Sequence, residues 1–287
     1  IAIRAVDAAG NAAQTVVVHS DGNRNMIRQF HPSIRTHVAS VYGGVDFSQF
    51  DVMDDARTRL HDGWVLLQDQ VIKTVGSGTV PTAVKVDRFL DARGKVVLPG
   101  LVNTHHHLPQ TLTRNLPAVQ QAPLFRWLVE LYEIWRGIDA AAVDAAVRVG
   151  LGELLLTGCT TTTDHLYLFP HGQDRLIDVE IDAARELGIR FQPTRGSMSR
   201  GKSQGGLPPD DVVQDEETIL ADSRRLIREY HDPKPGAMTR IALAPCSPFS
   251  VTDGLMRRTA ELAREHGVRL HTHLAETQDE ESYCQQV

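Results

Sequence analysis

The 287-residue sequence predicts an α/β fold built on a parallel sheet. Three observations predict it. From about residue 96, short apolar and β-branched runs alternate with amphipathic helical runs, which is the rhythm of βα units. The strand-like runs carry polar, chemically capable residues at their C-terminal ends, as a (β/α)8 barrel or a doubly wound sheet does. No glycine-rich phosphate loop follows the first of these strands, which weakens the nucleotide-binding version of that architecture.

The elements follow in order. Residues 1–50 are hard to place: AIRAVDAAGNAAQTVVV resembles the last strands of a β-sandwich repeat, and the next stretch has no clear period, so the segment is left unassigned. Residues 51–98 read as a small β-subdomain, with short strands around polar turns in RTRLHDGWVLLQDQVIKTVGSG. Residues 99–287 read as the βα series. KVVLPGLVNT is its first strand, followed by two helices, LFRWLVELYEIWRG and AAVDAAVRVGLGELLLTG, the second closed by Gly158. CTTTTDHLYL is a strand because threonine favours the β region, and RLIDVEIDAARELG is a helix ending at Gly188. IRFQPTRGSM is the third strand, with a Gly-, Ser- and Pro-rich loop behind it. The helix EETILADSRRLIREYH, the strand TRIALAPCSPFS, the helix DGLMRRTAELAREHG and the strand VRLHTHLAE complete five strands.

Composition excludes several classes of function. A net charge of −6 gives no basic footprint for nucleic acid or an anionic membrane surface. No apolar run approaches the roughly 20 residues that span a bilayer, and the first residues lack the basic start and apolar core of a signal peptide. Cys159, Cys246 and Cys284 are few, odd in number and far apart, which fits reduced thiols in the cytoplasm better than a disulfide framework.

The chemistry concentrates in histidines. Side chains alternate along a strand, so His105 and His107 share one side while His106 points away. Two imidazoles spaced in this way suit one divalent ion, and the competing reading is a solvated or structural pair. VRLHTHLAE repeats the pattern: His273, nearer the strand end, is the better third ligand, and His271 reads as a packed histidine behind it. Glu276 stands three residues beyond His273, where a carboxylate can shuttle protons at a metal-bound water, or simply cap a helix or lie on the surface. Trp127, Tyr132 and Trp135 read as pocket wall or as core. Asp164 and His165 end the second strand as supporting candidates, and Cys246 reads as a buried thiol.

PGLVNTHHHLPQTLTR, followed some 170 residues later by HTHLAET, resembles the amidohydrolase superfamily. TTTTDHLY, RGSMS with SQGGLPPD, and APCSPFSV are similar to its 8-oxoguanine and isoxanthopterin deaminases, and the s-triazine hydrolases are the next group it resembles. The resemblance implies a (β/α)8 TIM-type barrel with the small flanking β-subdomain. It implies metal ligation by His105, His107 and His273, proton transfer and substrate contact by Glu276, and substrate hydrogen bonds from Gln110 and Arg195. It further implies hydrolytic deamination of an aminated purine or pterin with release of ammonia, in a cytoplasmic enzyme whose full-length relative is a homo-oligomer. The partners are a small heterocycle and water, with no nucleic acid and no membrane. IALAPCSPFS has no lysine to bridge two metals, so the expected cofactor is one Zn2+, with iron as the other metal such a site takes.

The family pattern also has a histidine ending the sixth strand and a metal-binding aspartate ending the eighth. The series read here reaches its fifth strand shortly before Val287, so the expected barrel is incomplete after that strand. The corresponding expectation is a chain inactive as written, and the alternative from another class is an inactive fragment or a binding protein.

Overall fold

The computed structural model describes residues 2–4, 15–17, 43–51, 56–68, 71–170 and 172–286. Most of the N-terminal segment left unassigned by sequence lies outside them. No helix among the described residues is long and apolar enough to cross a membrane. The described residues fall into two compact units: those within 1–103, 151–162 and 185–190 make the first, and those within 104–150, 163–184 and 191–287 the second.

In the first unit, β1 (Ala2–Arg4) and β2 (Thr15–Val17) pair antiparallel. A four-stranded sheet follows, with β3 (Gly43–Asp51), β4 (Arg59–Gln68), β5 (Val71–Ser77) and β6 (Arg88–Val97) in the order β5-β4-β3-β6. β3 runs antiparallel to β4 and parallel to β6, so this sheet takes in a strand that begins before residue 51. Trp64, Val65, Leu67, Ala92 and Val97 are buried and form its core. KVVLPGLVNT, read as one strand, is two pieces. β6 ends at Val97, and β7 is only Leu101–Asn103. Pro99 has no N–H to continue a ladder, and Gly100 lies so close to Thr160 that a β-carbon there would collide with it.

A second sheet has the order β11-β10-β9-β8-β7, the order in which these strands occur along the chain. Its members after β7 are β8 (Cys159–Leu166), β9 (Arg190–Ser197), β10 (Ala242–Pro245) and β11 (Arg269–Leu270). β7 pairs in parallel with β8, and β10 in parallel with both β9 and β11. This is the five-stranded parallel sheet that the alternation of strands and helices implies.

The helices are α1 (Leu124–Trp135), α2 (Ala140–Leu156), α3 (Leu176–Leu187), α4 (Glu216–Tyr230), α5 (Asp253–His266) and α6 (Gln278–Cys284). α1 buries Leu128, Leu131, Tyr132 and Trp135, the spacing of one helical face. The Asp215 side chain accepts from Thr218 N–H to start α4, and the Thr252 side chain accepts from Leu255 N–H to start α5. Gly267 closes α5 with a φ of 65°.

VRLHTHLAE is also shorter as a regular strand than its sequence suggests. His271 N–H donates to Leu243 O at 2.9 Å and His273 N–H to Cys246 O at 2.9 Å. Two residues here thus advance against three from Leu243 to Cys246. The slip ends regular pairing at Leu270 while His271 stays tied to β10 and His273 to the residue just past it.

Candidate metal centre

All the groups of the centre lie in the second unit. Beyond β7 the chain carries His105 and His107, and three bonds from the end of β8 hold this loop. His165 N–H donates to His106 O at 2.8 Å, His107 Nδ1 lies 2.8 Å from His165 O, and Leu108 N–H donates to Asp164 Oδ1 at 2.6 Å. Asp164 is fully buried beside Glu180, and burial pushes both carboxyl groups up. His106 turns away, its Cε1 3.8 Å from where a β-carbon on Gly150 of α2 would stand.

The structure brings His105, His107 and His273 together: each places a ligand atom within 4.8 Å of the others. A carbonyl cannot donate, so the contact of His107 Nδ1 with His165 O puts that ring's proton on Nδ1 and the lone pair on Nε2. His273 Nδ1 lies 2.9 Å from Cys246 O and takes the same tautomer. The two Nε2 atoms face each other at 3.1 Å. With each Nδ1 turned to a carbonyl, the two Nε2 lone pairs converge on the space between the rings, as two ligands of one cation do. Ligands of a tetrahedral ion with bonds of about 2.0–2.1 Å stand roughly 3.3 Å apart, so the residues fit zinc.

The electrostatics agree. Burial first, then the neighbouring His273 ring, holds His107 down at about 3 and His105 at about 4. Burial likewise lowers His165 and His271. Neutral imidazole is the form that binds metal.

A cavity of about 370 Å³ opens on the centre. His105, His107 and His273 line it together with Gln110, Glu276 and Tyr167. Gln110 sits on a 3-10 turn (Leu108–Thr113), and its Nε2 donates to the Tyr167 hydroxyl at 3.2 Å. The backbone N–H groups of Ala275 and Glu276 donate to the two carboxylate oxygens of Glu280 at 3.0 and 2.7 Å, which fixes the turn that presents Glu276. Trp127, Tyr132 and Phe249 supply aromatic walls. Trp135 is not among the lining residues: it is buried and donates to Thr113 Oγ1 at 3.1 Å. Cys246 also lines the cavity, and burial pushes its thiol up to about 12, so it stays protonated and is no nucleophile.

Arg195 departs from the sequence expectation. The structure does not bring it into the cavity. It is 1% exposed, its Nε donates to Asp222 Oδ2 at 2.6 Å, and its two terminal nitrogens donate to Gln214 Oε1 and Gly196 O. Its carbon Cζ lies 4.0 Å from the centre of the Phe169 ring. Every nitrogen has a partner, so the guanidinium is a structural brace in place of a substrate donor.

Sequence reasoning gave little weight to two residues of the cluster and none to a third. His165 is 1% exposed and stacks on His273 with ring centroids 4.4 Å apart, and His271 Nε2 lies 3.2 Å from His105 Nδ1. Tyr167, two residues beyond His165 and so on the same side by strand alternation, was the detectable omission.

The Amidohydrolase family model matches residues 96–286. Over 224 residues the chain is 54% identical to 8-oxoguanine deaminase of Pseudomonas aeruginosa, a match covering 78% of this chain and 50% of that protein. It is 36% identical to isoxanthopterin deaminase of an unknown prokaryotic organism, covering 67% of this chain and 40% of the other. Among solved structures, atrazine chlorohydrolase from Arthrobacter aurescens TC1, complexed with zinc, superposes with a TM-score of 0.78 at 33% identity, covering 83% of this chain and 54% of that one. The chain therefore spans about half the length of the curated relatives it matches.

Proposed function

The chain belongs to the amidohydrolase family, and from that premise we propose that its cavity serves metal-dependent hydrolytic deamination of an aminated bicyclic heterocycle of the 8-oxoguanine or isoxanthopterin type. The observation that supports it most is the pair of Nε2 lone pairs of His107 and His273 facing each other at 3.1 Å, with His105 beside them. In the overall reaction water and the C–NH2 group become a ring carbonyl and ammonia.

His105, His107 and His273 would hold one Zn2+. When bound, zinc would lower the pKa of water toward about 7 and so supply the nucleophile at neutral pH. The remaining steps belong to side chains. Glu276 lies at the cavity wall beside His273, where its carboxylate can take a proton from water and return it to the departing amine. Gln110 and the Tyr167 hydroxyl offer paired donor and acceptor groups to ring nitrogens and carbonyls. Trp127, Tyr132 and Phe249 give flat apolar surfaces against which a planar bicycle can lie and exclude water.

A second reading has its own support: the zinc-bound structural relative is an atrazine chlorohydrolase, so removal of an amine or halide from an s-triazine ring is the competing chemistry. Calorimetric titration of the zinc-loaded chain with 8-oxoguanine, isoxanthopterin and a diamino-s-triazine, with ammonia release followed in parallel, separates the two. Zinc-dependent binding of a bicycle that is lost in Gln110→Ala supports the purine or pterin reading. Selective binding of the triazine transfers the site to the second reading, and binding of none of them contradicts both.

A further inference from the structure

The proposed centre uses three of five clustered imidazoles and leaves His165 and His271 without a task. His165 is fully enclosed, yet neither of its ring nitrogens has a hydrogen-bond partner among the described residues, a costly state for a buried polar ring. Its neighbours are other imidazoles: its ring centroid stands 5.1 Å from that of His271 and 6.3 Å from that of His105. His105 Nδ1 in turn faces His271 Nε2 at 3.2 Å, nearly the separation of the facing nitrogens of His107 and His273. His105, His165 and His271 each place a ligand atom within 4.8 Å of the others.

We propose that His105, His165 and His271 form a second divalent-cation position that shares His105 with the first, so that a single ion has two alternative seats. The inference rests on the reading of His105, His107 and His273 as a metal centre. Three neutral nitrogen donors select a borderline cation such as Zn2+ or Co2+ over Mg2+ or Ca2+. A cation in this seat supplies the partner that the His165 ring lacks. Because His105 serves both seats, filling one empties the other, and the capacity is one ion per chain.

Cobalt(II) reports ligand number and geometry through its visible absorption, and it is the probe for this test. The purified chain and the variants His273→Gln, His271→Gln and the double variant are titrated with cobalt chloride, and bound metal is counted by elemental analysis. The expected result is one cobalt in wild type and one in His273→Gln with an altered spectrum, because the second seat remains. His271→Gln also keeps one, and the double variant binds none. His107→Asn removes the first seat from a different loop and should likewise retain one cobalt, which guards against a His273 variant that fails to fold. Loss of cobalt in both His273→Gln and His107→Asn, with native circular dichroism, overturns the second seat and leaves the first centre standing. No cobalt in wild type, or one still bound in the double variant, overturns the first reading and the inference with it.

Discussion

At the scale of residues, the account turns on protonation. The folded His105 and His107 rings are held at about 4 and about 3, below the ordinary 6.5 of an unfolded imidazole. Their contribution to the stability of the metal-free chain is therefore fully present above pH 6.5. It is lost as pH falls from there toward 3, because the unfolded chain binds more protons across that window. Thermal unfolding of chelator-treated protein should show a falling Tm between pH 6.5 and pH 4, and a flat Tm across that range would contradict the neutral cluster. Arg195 makes a second prediction. Truncating one member of a buried ion pair costs about 3–5 kcal/mol, so Arg195→Ala should lower the urea midpoint strongly while leaving metal stoichiometry unchanged in the fraction that folds. Its misreading is instructive: an arginine at a strand end looks like a substrate donor, but its partners Gln214 and Asp222 lie 19 and 27 residues further on, where spacing rules do not reach. The paired histidines were legible because strand alternation is local, whereas the place of His165 depends on rings brought from two other strands.

At the scale of elements, the order of strands and helices from residue 99 was readable from periodicity, and the extents of the strands were not. β7 and β11 are three and two residues long: a Pro-Gly break precedes β7 and a register slip follows β11, and neither event has a hydrophobic signature. α2 shows how a helix supports the site. A β-carbon on Gly150 would stand 2.5 Å from Leu108 Cδ2 and 3.4 Å from Thr111 Oγ1, so glycine lets the loop after His107 lie against the helix. Gly150→Ala should cost about 1–3 kcal/mol by overpacking, read from chemical denaturation, despite the better helix propensity of alanine. A neutral or stabilising result would mean that the loop yields freely and that α2 does not set its position.

At the scale of the whole molecule, the second sheet has two edge strands among the described residues, and both carry exposed apolar side chains. In the first unit Leu101 and Val102 on β7 are 37% and 63% exposed. In the second, Leu270 on β11 and Leu274 just beyond it are 42% and 68% exposed. Unpaired strand edges with apolar side chains promote association. The purified chain should therefore self-associate with rising concentration in sedimentation velocity, and Val102→Lys with Leu274→Lys should reduce it. Concentration-independent sedimentation of the unsubstituted chain would contradict that expectation. The small sheet of the first unit was legible as short strands between polar turns. The strand Gly43–Asp51 was not, because its pairing with both β4 and β6 is set at long range. The central claim remains that the clustered imidazoles hold one metal ion through His105. Zinc per purified chain, measured by elemental analysis on wild type and His105→Ala side by side, tests it most directly. The account predicts about one zinc in wild type and none in the variant, since His105 belongs to both proposed seats. No zinc in either chain, or equal zinc in both, would contradict it.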